Sequence, residues 1–169
     1  MIILGLDPST KAVGYAVLDT DSDAVLAHGT YKLRQDSLDH TLVDGYLWLE
    51  RELDAWFTTG SDLLINAIAI EMPVKHRNVA TTIKLAQMVG ALRCAAFYWL
   101  ETVIEVIPAE RLTALGLPIR MTRQDAKAQV LQLVNWRYSL DLKPEDHDAA
   151  DAVAVALAGW CKLQRETMT

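Results

Sequence analysis

The sequence predicts an α/β fold, and three observations predict it. Apolar runs at 2–7, 13–19 and 63–71 have the length and composition of buried strands, and 24–32 and 102–107 add two more. Stretches with apolar residues at helical spacing lie between and after them, above all 38–58, 79–100, 123–137 and 145–164. No internal repeat, low-complexity tract or linker interrupts the 169 residues, 51% of them hydrophobic, so a single domain over 1–169 with a sizeable core is expected.

The first strand ends on Asp7, and residues 8–11 turn the chain before an apolar strand restarts near Gly14. A carboxylate at the tip of a central strand is held by backbone on both sides, which suits a metal ligand. An Asp before Pro is equally at home opening a turn. Residues 19–23 make a polar hairpin turn; Asp21 and Asp23 mimic the start of a calcium loop, but no Gly or distal Glu follows at the required spacing. Ser37 fits the N-cap of the 38–58 helix, whose Leu42, Tyr46, Leu49, Leu53 and Trp56 form one apolar face. Trp48 and Trp56 read as core fillers rather than a binding platform. The run 63–71 ends on Glu71, and Met72-Pro73 halts it, so a second acid terminates a second buried strand.

Lys75, His76 and Arg77 form a short basic loop, and Asn78 can cap the helix at 79–100. That helix carries a seam of small or polar residues four apart, Thr82, Ala86, Gly90 and Cys94, while Leu85, Val89, Leu92, Ala96 and Trp99 line another side. Pro108 can open a brief helix to Leu115, and Gly116 and Pro118 break the chain after it. Thr122 then caps a basic amphipathic helix bearing Arg123, Lys127 and Arg137. In the last helix the dipole alone accounts for Glu145 and Asp146 in the first turn. Asp148 and Asp151 differ, because they stand at i and i+3 on one face ahead of an Ala/Val-rich stretch that should pack on the sheet. Buried acids there require a cation or hydrogen bonds.

Charge is unevenly spread. The net −6 divides into −8 for residues 1–71, +5 for 72–143 and −3 for 144–169, so a basic face can answer a polyanion despite the acidic total. Cys94 and Cys161 have no ligand-spaced partner and read as buried free thiols of a reducing compartment. No signal pattern precedes Ile2, and charges interrupt every apolar stretch before membrane-spanning length; a soluble, cytoplasmic protein is expected.

Four carboxylates thus stand out: Asp7, Glu71, Asp148 and Asp151. Magnesium and manganese are hard ions that take oxygen ligands, and a pair of them can stabilise both oxygens of an in-line phosphoryl displacement. At residues 3–17, 68–71, 125–130 and 148–156 the chain resembles the RuvC-type Holliday-junction resolvases of the RNase H-like superfamily, in order and spacing, over nearly its whole length. The resemblance implies a three-layer RNase H-like fold, with a mixed five-stranded sheet flanked by helices. It implies cleavage of four-way DNA junctions with Mg2+, two ions per site and Mn2+ as a substitute, by a homodimer with two separated active sites. Asp7, Glu71, Asp148 and Asp151 match the family's four metal-binding acids, and Lys127 matches a functionally important lysine. Members often carry an aromatic residue shortly after the second acid, whereas residues 72–78 here carry none.

The segments holding Lys75, His76, Arg77, Arg123 and Lys127 should border the acidic cleft as the DNA-contacting surface, and the helix at 79–100 should supply the dimer contact. Two neighbouring functions share parts of this pattern. One is another RNase H-like nuclease, acting on structured RNA or other branched DNA. The other is a nucleotide-binding domain of the actin and sugar-kinase fold, whose phosphate loop residues 5–14 resemble. That fold needs a second such domain and a Gly-rich adenosine motif, and the chain has neither. A catalytically silent DNA-binding relative is disfavoured by the presence of all four acids.

Overall fold

The computed structural model describes residues 1–58, 64–74, 78–100 and 102–167. Three strands come first, β1 (Ile2–Pro8), β2 (Ala12–Asp19) and β3 (Ala24–Lys32), followed by α1 (Leu38–Thr58) and β4 (Ile65–Glu71). Then come α2 (Val79–Trp99), β5 (Val103–Val106), α3 (Pro108–Ala114), α4 (Arg123–Tyr138) and α5 (His147–Thr167). The sheet order is β3-β2-β1-β4-β5. The first three strands pair antiparallel, while β4 runs parallel to both β1 and β5, so the sheet is mixed as expected.

Strand alternation assigns each face. Leu4, Leu6, Ile68 and Ile70 point to one side, where Trp48, Leu49 and Leu53 of α1 and Met88, Val89 and Leu92 of α2 bury them. Ile3, Ala67 and Ala69 point to the other side, against Val155 and Ala156 of α5. Helix α5 is buried without a break from Ala149 to Gly159, because the sheet covers one flank and α3 and α4 the other.

The approach of α5 is very close. A Cβ built on Gly5 would stand 2.2 Å from the Ala152 carbonyl oxygen, and one on Gly14 would stand 2.1 Å from that of Asp148. Only a residue without a side chain lets the helix backbone lie directly on β1 and β2. That contact carries the first turns of α5 to the ends of the central strands.

The caps read from sequence are in place. Ser37 Oγ accepts from the His40 amide, Asn78 Oδ1 from Ala80, and Thr122 Oγ1 from Asp125. Trp48 is core, stacked on Tyr31 at 4.9 Å. Two details differ from expectation. Glu145 and Asp146 lie in a 3-10 turn (Pro144–Asp146) ahead of α5, and Asp146 accepts from the Lys143 amide at 2.8 Å. Cys94 is exposed because the Thr82–Cys94 seam of α2 turns outward, away from the sheet, and Cys161 is half-buried, just past the fully buried run of α5 that ends at Gly159. Trp99, on the Leu85–Leu92 side of α2, stacks on Phe57 of α1.

Candidate active site

The period of two that buries Leu6 and Ile70 under α1 and α2 turns Asp7 and Glu71 to the opposite side, toward α5. The two acids stand one step beyond the Leu6–Ile70 pair, at the same end of adjacent parallel strands. Asp151, one turn into α5, is buried against them, and Asp148, on the first turn, lies nearer the rim. Three elements therefore bring Asp7, Glu71 and Asp151 into one cleft, with Asp148 at its edge.

A fifth residue occupies the middle. Arg111 of α3 reaches between the acids, its Nη1 2.9 Å from Asp151 Oδ1 and its Nε 3.2 Å from Glu71 Oε2. The contacts are close but poorly aligned: Glu71 Oε2, Asp151 Oδ1 and Arg111 Nε are all buried without a hydrogen-bond partner of good geometry. At the rim, Asp148 Oδ1 is 3.1 Å from His147 Nε2 and 3.9 Å from Lys127 Nζ. Sequence reasoning missed Arg111. Its one signal was a lone cation on the inward side of a short helix, since Pro108, Arg111, Leu112 and Leu115 share helical spacing.

The electrostatics follow from this crowding. Burial pushes the Asp7 carboxyl well above its ordinary range, and the charges of Glu71 and Asp151 push it further, with Arg111 only partly offsetting them. Burial raises Glu71 from 4.5 to about 7 despite the opposing pull of Arg111, Arg123 and Lys127. Asp151 is raised as well, chiefly by burial, against the pull of Arg111 and Lys127. Helix α4 borders the cleft through Lys127, whose Nζ is 3.9 Å from Asp148, and Arg123 opens the same helix one turn before it. Lys75, His76 and Arg77 lie outside the described residues.

Among the described residues, no three His, Cys, Asp or Glu side chains already stand at metal-holding positions. The donor chemistry nonetheless suits a hard divalent cation. Several carboxylates share one cleft, and buried oxygens of Glu71 and Asp151 lack well-aligned partners. The Arg111 guanidinium contacts both acids.

One consequence is a pH dependence. Between about pH 4.5 and 7 the unfolded chain releases the Glu71 proton while the folded protein keeps it, so folded stability falls with rising pH. The contribution is fully present below pH 4.5 and gone above about 7. Thermal unfolding of metal-free protein should show this decline, and added Mg2+ should raise Tm more at pH 8 than at pH 5, because protons compete for the same oxygens. An Mg2+ increment independent of pH would exclude Glu71 as a ligand.

A mixed five-stranded sheet with helices on both faces, and acids gathered where β1 and β4 end beside the start of α5, defines the RNase H-like class. The profile of one family of that class, described as "Crossover junction endodeoxyribonuclease RuvC", matches residues 3–159. The chain belongs to this RuvC family of crossover junction endodeoxyribonucleases, metal-dependent hydrolases of branched DNA in recombination and repair. The family's protein in Chromohalobacter salexigens is 32% identical over 92% of this chain and 78% of its own length. That of Campylobacter jejuni serotype O:2 is 29% identical over 96% of each. Thermus thermophilus RuvC, solved in complex with a Holliday junction substrate, matches in fold with a TM-score of 0.78 at 21% identity, covering 99% of this chain and 97% of that one. Among the described residues no helix is long and apolar enough to cross a membrane.

Proposed function

We propose that this chain, acting as one nuclease domain over 1–169, cuts four-way DNA junctions by two symmetrical nicks. In this reading Asp7, Glu71, Asp148 and Asp151 hold two Mg2+ ions, with Mn2+ able to substitute. The observation that carries it is the cleft itself: acids from two strand ends and one helix, with buried oxygens lacking aligned partners, facing cations of α4. Divalent metal bound there supplies Lewis-acid stabilisation to the attacking and leaving oxygens of an in-line phosphodiester hydrolysis. The strand ends fix the Asp7 and Glu71 carboxylates, and the packing of α5 on Gly5 and Gly14 fixes Asp151 and Asp148 relative to them. Lys127, beside Asp148, offers a cation to a phosphate at the rim. The test is cleavage of a synthetic four-way junction against linear duplex and structured RNA, with and without Mg2+. Preference for RNA, or indifference to branching, would replace this reading with that of another RNase H-like nuclease.

Arg123 and Lys127, with Lys75, His76 and Arg77, form the proposed DNA-contacting surface. Binding should weaken steeply with salt, and Arg123→Ala or Lys127→Ala should each reduce the log–log slope by about 0.9. Unchanged slopes in both variants would make this flank of α4 an ordinary solvated face.

Paired nicks require two clefts related by a two-fold axis, and α2 is the proposed contact. Its outward stripe comprises Val79, Ile83, Ala86, Gly90, Cys94 and Phe97, with Phe97 69% exposed and nothing within 4 Å of a Cβ built on Gly90. A contiguous exposed apolar stripe of this kind favours a partner surface, and small residues at its centre allow close approach. Gly90→Arg should yield monomers by light scattering and abolish paired cleavage. Gly90 is a cleaner probe than Arg93, which is already ion-paired with Glu105. A junction-cutting monomer of the wild-type protein at working concentration would remove the dimer from the mechanism.

A further inference from the structure

The acidic cleft already contains a cation of the protein's own. Arg111 is mostly buried, and its helix is tied down: Lys162 of α5 stands 3.1 Å from Glu110 Oε1, the residue before it, and donates to the Glu105 carbonyl oxygen at 2.7 Å. An arginine serving a fixed ion pair presents its two-pronged edge to one carboxylate, in two parallel hydrogen bonds. Arg111 instead gives one nitrogen to Glu71 and another to Asp151, on different elements, and leaves both oxygens without an aligned donor. A small spherical ion bridges two carboxylates in that way, and a planar fork does it poorly.

We propose that Arg111 is a resident counter-cation of this site. In the metal-free protein its guanidinium occupies the ground between Glu71 and Asp151 and keeps the acids gathered. An entering divalent ion must displace it, so metal and guanidinium compete for the same oxygens. Arg111 thereby sets the metal concentration at which the site fills. Its role is to position and to gate, acting through Glu71 and Asp151. The inference rests on the assignment of those acids as metal ligands.

Competition has a definite sign. Observed metal affinity is the intrinsic affinity reduced by the fraction of protein whose site is open. Removing the competitor should tighten metal binding while leaving buried acids uncompensated in the metal-free state. Calorimetric titration of the DNA-free protein with Mn2+ is the test. Arg111→Met, similar in length and uncharged, should bind Mn2+ about tenfold more tightly, as for a site about 10% open in the wild type. Its metal-free Tm should fall, and Arg111→Lys, which keeps the positive charge on a shorter side chain, should lie between the two.

A second measurement uses wild-type protein alone and does not depend on the variants folding. The Arg111 Nε–Hε resonance should shift during a Mg2+ titration with the same midpoint as the calorimetric curve. Unchanged or weakened Mn2+ binding in Arg111→Met, or a resonance that stays still at saturating Mg2+, would overturn the proposal. Glu71→Gln separates this failure from a failure of the site assignment. If Glu71→Gln leaves the Mn2+ isotherm unchanged, Glu71 is not a ligand and both ideas fall. If it weakens binding while Arg111→Met does not alter it, the metal site stands and the counter-cation role alone is lost.

Discussion

Asp7→Asn is expected to lose cleavage of a four-way junction by at least about 10²–10³-fold, the cost of removing even one neutral positioned donor to a transition state. Junction binding in the absence of cleavage should be largely retained, because the cations of α4 are untouched. The substitution is nearly isosteric, and it also has a second, opposite effect. Asp7 is pushed well above its ordinary range by burial and by Glu71 and Asp151, so its ionised form works against the folded state. Replacing it with a neutral amide should raise the Tm of the metal-free protein near neutral pH. The variant should therefore be more stable and inactive, and its Tm should respond less to Mg2+. This trade of stability for activity is expected where charges are held together for function. Single-turnover cleavage and thermal unfolding, with and without Mg2+, measure both halves. Wild-type-like turnover would sink the metal assignment, and a lowered metal-free Tm would show that Asp7 serves mainly as a structural partner.

The parts of this site that were legible in sequence are those set by short-range periodicity. A period of two places Asp7 and Glu71 on the same face as Gly5 and Ala69, so a strand-terminal acid could be recognised from its own segment. Asp148 and Asp151 were legible for a similar reason, since i and i+3 share a helical face. Arg111 was not. Its importance depends on where the seven-residue α3 docks, and no local pattern encodes a contact with residues 40 positions away in either direction. The outward turn of the α2 seam was open for a related reason. Small residues four apart permit close packing, but the pattern does not say whether the partner is the chain's own sheet. In the structure the side bearing Val89 and Leu92 is the buried one, which leaves Cys94 exposed. His147, next to Asp148 in sequence, has its Nε2 3.1 Å from that acid, a contact that adjacency alone does not disclose. Asp146, which the helix dipole alone accounted for, has its side chain occupied in capping the 3-10 turn.

The second large effect should come from a residue with no chemistry. Gly5→Val is expected to cost about 3 kcal/mol or more, at or beyond the upper end of ordinary overpacking. The reason is what the new atoms would meet. A Cβ at Gly5 lies 2.2 Å from the Ala152 carbonyl oxygen and 2.6 Å from the Ala156 amide nitrogen, so backbone rather than a flexible side chain must yield. Strand β1 is held by β2 on one side and β4 on the other, which leaves α5 as the element that moves. For a chain of this size each kcal/mol lowers Tm by about 2–4 °C, so a drop of about 6–12 °C or more should be seen in thermal unfolding. Lifting α5 would also carry Asp151 and Asp148 away from Asp7 and Glu71. Gly5→Ala, the smallest version of the same change, already introduces the clashing atom. It should lose Mg2+-dependent cleavage while its far-UV spectrum stays native at low temperature. A Gly5→Ala protein with wild-type Tm and turnover would mean that α5 can stand off the sheet without cost, and that its contact with β1 does not set the geometry of the acids.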